Sequence, residues 1–439
     1  MLVEKIRRGL DEWLIISILL CIFGFLKEIR PSEPFVYEFL IGPWRNLTDL
    51  QVNQQVYPVG TYSYLAQLVI VFLITDLCRY KPLIVLLGST GIIVWAMLLW
   101  TTSLLEVQIL EVLYGTFCAC EVAYFTYIYA KVDREWYQLV TSHTRAAILL
   151  GRALSGIMAQ LLISFELMDY RELNYITLSA MIGATFWSLF LPPAGESIYF
   201  HHNMMQQMPF LQKSKEAYAL MWSHFVQAYS NKYTAKWSVW WALSTCGFIQ
   251  VQVYMQPLWW AIVGDPKQKI YNGVVEAVLT VIGFLGALVS GLLKIDWKTK
   301  GDLSLACCSL LQGFTMIIAS QTTQVVISYI SYIVFGALYH LMITVASSEI
   351  AKHIKEDSYG LIFGINTFAA LAFQTILTLG IVTGDMGFAL PPRRQYFAYG
   401  FYHIILALVY IIIGLGSWFS SKYDYRRTSV TATETVSRL

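Results

Sequence analysis

Apolar runs dominate this chain and leave it few folds to adopt. Twelve of them, near residues 13–29, 62–77, 82–101, 109–130, 143–165, 173–191, 237–258, 271–293, 303–320, 325–347, 359–383 and 396–419, are about long enough to cross a hydrocarbon layer roughly 30 Å thick. Only 13% of the residues are charged, against roughly 25% in a soluble globular domain. Lipid offers no partner to a bare backbone amide, so spans of this length are expected to be helices, which satisfy their own polar groups. The predicted fold is an all-α integral membrane protein with twelve transmembrane helices, embedded in the lipid bilayer.

The start, Met1-Leu2-Val3-Glu4-Lys5-Ile6-Arg7-Arg8, is basic like a signal peptide, but its apolar run reaches Lys27-Glu28 without a small-residue cleavage site, so it reads as a retained first span. With residues 1–12 as an inner tail, inner segments collect 20 Lys and Arg and outer ones 7, which places both termini in the cytoplasm. Asn46-Leu47-Thr48 then falls in the first outer loop, making Asn46 a candidate glycosylation acceptor at the plasma membrane. A longer inner loop, 192–236, separates a half at 13–191 from a half at 237–419. Within it Phe210, Tyr218, Met221, Phe225 and Tyr229 recur at helical spacing among Lys213, Lys215 and His224, predicting an amphipathic helix at the cytoplasmic interface. Residues 420–439 read as a disordered tail. The charged hairpins Thr75–Pro82 and Lys294–Lys300 sit at corresponding places in the halves. A 6+6 bundle of the major-facilitator type, with substrate held at the midplane between halves, follows from that echo.

Against this background the polar residues inside spans stand out. Glu111, Tyr114, Cys118, Glu121 and Phe125 follow steps of three and four, forming one stripe on the fourth span. Carboxylates at membrane depth are expensive, and interleaved with rings they suit an organic cation. The same carboxylates could instead be interhelical glue, paired with Arg145 or Arg152 of the fifth span. Arg145 is near enough to the inner side to snorkel, whereas Arg152 needs a partner, and the fourth-span carboxylates are the nearest in sequence. Asn272 and Glu276 share a face of the eighth span, and Asn366 and Gln374 lie on the eleventh; selectivity and helix bonding are both open to them. The seven cysteines lie in or beside spans and imply no disulfide framework or metal pair. The seven histidines form no metal-ligating or nucleophile–base pattern, so no enzyme is expected.

Six blocks then carry a resemblance: Arg30-Pro31-Ser32-Glu33-Pro34-Phe35, Tyr62-Ser63-Tyr64-Leu65, Thr75-Asp76-Leu77-Cys78-Arg79-Tyr80-Lys81-Pro82, Trp237-Ser238-Val239-Trp240-Trp241, Ile270-Tyr271-Asn272-Gly273 and Phe363-Gly364-Ile365-Asn366-Thr367-Phe368. Together they resemble the reduced folate and thiamine carrier family of solute carriers, over about residues 13–419. The resemblance implies a twelve-span major facilitator bundle moving a small water-soluble vitamin, with no cofactor, metal or nucleic acid, and acting as a monomer.

It also implies roles. Where folate carriers have arginine, this chain has Glu121, as thiamine carriers do; where folate carriers have lysine it has Gln374, and at Gly336 another folate-type arginine is missing. The implied pocket is Glu33, Tyr57, Trp95, Glu111, Tyr114, Glu121 and Asn272, with Glu33 and Glu121 for polar and charge contacts and Tyr57, Trp95 and Tyr114 for stacking. Arg152, Glu276 and Gln374 are possible charge modulators. Gly60 stands where a thiamine carrier offers tryptophan and Arg152 where it has tyrosine, an arrangement that would also fit a phosphorylated thiamine or a zwitterion. Thiamine is the expected substrate, with folate transport or a ligand-sensing, non-transporting receptor as alternatives.

Overall fold

The structure, a computed structural model, describes residues 12–194, 197–200, 209–264, 270–292, 295–355, 358–384 and 387–436. The basic start with Lys5, Arg7 and Arg8, the pair His201-His202, and Lys267, Lys269, Lys294 and Arg438 lie outside these residues. Every regular element among the described residues is helical. In chain order they include α1 (Glu12–Lys27), α2 (Val36–Ile41), α3 (Tyr57–Thr75), α4 (Lys81–Trp100), α5 (Leu104–Lys131), α6 (Tyr137–Ser164) and α7 (Leu173–Ser188). After the linker helix α8 (Phe210–Ser230) come α9 (Lys232–Val263), α10 (Asn272–Leu292), α11 (Trp297–Gln321), α12 (Val325–Ala351), α13 (Tyr359–Leu377) and α14 (Pro392–Val436).

Among the described residues nine helices are long and apolar enough to cross a membrane, α3 to α6 and α10 to α14, with the α3 span reaching back to Asp49, the α13 span on to Val382 and the α14 span ending at Ser417. α1 and α7 have 16 residues each, and α9, at 32, is diluted by tryptophan, glutamine and hydroxyl side chains. The last helix continues as backbone to Val436, past residue 419 where the sequence reading ends the span and begins a disordered tail.

The first apolar run does not end at Lys27-Glu28. It breaks there, turns through Pro31, makes one 3-10 turn at Glu33–Phe35, and resumes as α2. Pro31 and Pro34 lack the amide hydrogens a continuous helix would use, which accounts for the break. The opposite half satisfies the exposed backbone: Gln256 Nε2 donates to Glu33 O (2.9 Å), and Asn272 Nδ2 donates to Pro34 O (3.0 Å).

Each half has its own core. Leu20, Phe23, Leu87 and Phe117 are buried in the first, Val251, Tyr254, Met316 and Phe335 in the second. The halves approach closely where α6 crosses α10. A Cβ on Gly156 would lie 2.7 Å from Gly273 O, and one on Gly273 2.7 Å from Gly156 O, so only glycine permits this crossing. At the α3–α4 hairpin Asp76 is buried and accepts from Tyr80 Oη (2.6 Å), Ser197 Oγ (2.7 Å), and the amides of Ile198 (3.1 Å), Tyr199 (3.1 Å) and Phe200 (2.7 Å). The linker is thereby tied to the first half, while Tyr199 and Phe200 pack with Met221 of α8 and Leu361 of α13. Its counterpart Asp296 is instead an exposed cap of α11; bonds from Thr299 Oγ1 and Lys298 N hold its carboxyl below the usual range.

Candidate functional site

A cavity of about 460 Å³ lies between the halves, within the roughly 300–1,000 Å³ of small-molecule sites. The break in the first span supplies one wall, with Glu28, Arg30, Ser32 and Glu33; α3 supplies Tyr57 and Gly60, α4 supplies Trp95, and α5 supplies Glu111, Tyr114, Cys118 and Glu121. Arg152 comes from α6, Glu276 from α10 and Gln374 from α13.

Three cations and three carboxylates form a linked set on one side. Glu28, whose side chain is fully buried, accepts from Lys27 Nζ (2.6 Å), Arg30 Nη2 (2.8 Å) and Arg152 Nε (2.7 Å). Arg30 Nη1 reaches Glu33 Oε1 (2.6 Å), and Lys27 Nζ reaches Glu121 Oε1 (2.5 Å). Burying isolated charges costs several kcal/mol each, so this density of ions is tolerable only because every member is paired. Five of the six line the cavity, with the side chains of Glu121, Glu33 and Arg152 25%, 37% and 44% exposed, while Lys27 lies behind the wall.

Aromatic side chains close the same side. Tyr114 Oη donates to Glu33 Oε1 (3.3 Å), and its ring stacks on Phe117 at 5.8 Å. Trp95 is edge-on to both, at 6.4 Å from Tyr114 and 5.5 Å from Phe117, with its indole Nε1 donating to Ser32 Oγ (3.1 Å). Tyr57 meets Tyr254 of the other half edge-on at 5.9 Å. Ring faces, carboxylates and a guanidinium thus surround one space.

Of the residues predicted from sequence, Glu33, Tyr57, Trp95, Glu111, Tyr114, Glu121, Arg152, Glu276 and Gln374 all line this cavity. Asn272 does not: it is fully buried, donates to Glu38 Oε1 (3.0 Å) as well as Pro34, and accepts from Tyr329 Oη (3.3 Å), so it fastens the halves together. Asn366 is likewise structural, accepting from Tyr229 Oη (2.6 Å). Phe125, the last member of the α5 stripe, is exposed and is not among the residues that line this cavity.

The expected pairing of Arg152 with the α5 carboxylates is corrected: its partner is Glu28, and the partner of Glu121 is Lys27. Among the described residues Glu111 has no hydrogen-bond or ion-pair partner, and Arg145 does not reach it; Glu276 is met only by Tyr332 Oη (3.1 Å). Gly60 bears directly on Glu111, because a Cβ at residue 60 would collide with the Glu111 carboxylate. Sequence reasoning missed Lys27 and Glu28, reading them only as the point where the first apolar run ends. The signal was there: apolar sequence resumes at Phe35-Val36-Tyr37, immediately after two prolines.

Comparison with known proteins agrees with this architecture. Residues 11–398 match the family described as reduced folate carrier. The chain is 37% identical to human thiamine transporter 1 over 93% of its own length and 91% of that protein, and 34% identical to human thiamine transporter 2 over 94% and 92%. It is 35% identical to folate transporter 1 of Caenorhabditis elegans, covering 96% of each. Among solved structures, the POT family transporter PepTSo superposes with a TM-score of 0.67 at 9% identity, covering 93% of this chain and 99% of that one. The xylose transporter XylE from E. coli superposes at 0.59 and 14% identity, covering 91% and 98%; both likenesses concern the fold alone. A multi-pass helical bundle with a charged central cavity, matched by one family over most of its length, is a membrane transporter and not an enzyme: the chain belongs to the reduced folate carrier family.

Proposed function

We propose that this chain is a secondary transporter carrying a small water-soluble vitamin through the central cavity by alternating access, with thiamine or a related organic cation as substrate. The observation that carries this reading is the balance of charge. Five carboxylates line the cavity, Glu28, Glu33, Glu111, Glu121 and Glu276; two lining cations, Arg30 and Arg152, and Lys27 behind the wall offset three of them, so two carboxylates remain. Those two, Glu111 and Glu276, lie outside the ion-paired set. A permanent thiazolium cation is attracted by unpaired carboxylates, and Trp95, Tyr114 and Tyr57 add ring contacts of roughly 0.5–2 kcal/mol each where a cation meets a ring face. In alternating access the halves rock about the cavity, with the glycine crossing of α6 and α10 as a close contact between them.

A second reading has one observation behind it. Arg152 uses Nε for Glu28 while its side chain stays 44% exposed, which leaves guanidinium surface for an anionic group on a folate or a phosphorylated thiamine. On either reading the protein has twelve spans, counting α1, α7 and α9, with both termini cytoplasmic, and works as a monomer at the plasma membrane. Asn46, exposed ahead of the Thr48 cap, is then an outer-loop acceptor.

The test is uptake of radiolabelled thiamine and folate by cells expressing the chain. Saturable thiamine uptake is expected, reduced about tenfold in kcat/KM by Glu111→Gln at equal surface expression. Folate uptake without thiamine uptake would transfer the function to the second reading, and uptake of neither would sink both.

A further inference from the structure

Lys27 is the last residue of α1, at the break in the first span, with a side chain only 1% exposed. Its amine is held on three sides: Glu121 Oε1 at 2.5 Å, Glu28 Oε1 at 2.6 Å, and the Tyr124 ring with its centroid 5.7 Å away. An amine fixed in this way cannot swing into the cavity to meet substrate. Glu28 does not depend on it, because Arg30 and Arg152 already bond its other oxygen. Glu121 does depend on it: among the described residues Lys27 is its only ion-pair partner.

A lysine buried at such cost, where an apolar side chain of similar length would fit, calls for a reason other than stability. The position of Glu121 supplies one. Its carboxylate is 25% exposed to the cavity, so the charge on this side chain is felt by whatever binds there. We propose that Lys27 is a specificity-determining residue: a built-in counter-cation that occupies Glu121, lowers the negative charge of the cavity, and leaves recognition of a cationic substrate to Glu111 and Glu276. The proposal rests on the reading that the cavity binds an organic cation. It makes Lys27 a positioning residue, acting on substrate only through Glu121.

The effect has a sign that a merely structural lysine lacks. Removing the amine leaves Glu28 compensated and sets Glu121 free, so cation affinity should rise. Binding of thiamine to purified full-length protein, measured by tryptophan fluorescence, is compared for wild type, Lys27→Met, Lys27→Gln, Lys27→Arg and Lys27→Met with Glu121→Gln. Expected is a Kd about tenfold lower for Lys27→Met, one contact's worth of affinity, and a shift in the same direction for Lys27→Gln. Lys27→Arg should stay near wild type, and the added Glu121→Gln should remove the gain. Thiamine binding that is the same in wild type and both uncharged variants overturns the proposal, as does a gain that survives loss of Glu121. Binding by Lys27→Met but not by wild type would sustain the role of Lys27 while refuting thiamine as the natural substrate.

Discussion

Glu28 is the hinge of the charge network, and its neutralisation gives the sharpest test of the site. Its fully buried carboxylate takes bonds from Lys27, Arg30 and Arg152 at 2.6, 2.8 and 2.7 Å. Glu28→Gln keeps the shape but leaves three cations facing two carboxylates, Glu33 and Glu121, and turns an amide N–H toward at least one donor. Removing one partner of a buried pair destabilises by roughly 3–5 kcal/mol. Arg152 is 44% exposed and its unmatched charge is partly solvated, so the lower end, about 3 kcal/mol, is the expected cost. A thiol-reactive fluorophore can follow the melt of purified protein, since Cys120, Cys246 and Cys308 are free, buried, and become accessible on unfolding. The single variant should melt several degrees below wild type. Adding Arg152→Met restores two cations against two carboxylates, and recovery of about 1–3 kcal/mol is expected for residues in direct contact. A single variant that melts with wild type, or a double variant less stable than the single, refutes the reasoning that charge matching holds this wall together.

Two further outcomes follow from particular contacts. Gly60→Ala places a methyl against the Glu111 carboxylate, so the carboxylate must rotate away; thiamine uptake should fall several-fold while surface expression, read by biotinylation, is retained, and unchanged uptake would remove Glu111 from the proposed cation contact. Asp76→Asn weakens a carboxylate that accepts from three consecutive linker amides, a loss of roughly 1–3 kcal/mol at that attachment, and limited proteolysis should cut the 192–236 linker faster than in wild type.

Much of the bundle could be read from the sequence because lipid removes alternatives: a long apolar run has to be a helix, and run lengths map onto spans. The reading failed where a span is not uniformly apolar. Lys27-Glu28 reads only as the end of an apolar run, and the folded arrangement reveals that Arg152, 124 residues away, meets Glu28 inside the bundle. Period alone placed Glu111, Tyr114, Cys118 and Glu121 on one face of α5, and all four line the cavity. Period could not say which of them is already bonded, because the partner of Glu121 comes from another helix 94 residues earlier. Asn272 was misplaced for a related reason. A buried amide in a span bonds substrate or backbone with equal chemistry, and the broken first span provides unsatisfied backbone within its reach.

These contacts also explain why overall similarity is a poor guide to cargo here. Identities of 37%, 34% and 35% to relatives named for thiamine and for folate average over whole helices, most of whose positions meet lipid or core. The charge of the cavity is set by eight side chains from the broken first span, α5, α6 and α10, five acidic and three basic. Exchanging one lysine for an apolar residue shifts that balance by a full unit while barely changing identity. A charge in this setting is screened less than at a water-exposed surface, so one unit can outweigh several ring contacts in choosing between a cation and a dianion. On the proposed role of Lys27, Glu121 by itself does not fix the preference of this carrier. What a substrate meets is Glu121 as partnered by Lys27, together with Glu111 kept open by the absent side chain of Gly60.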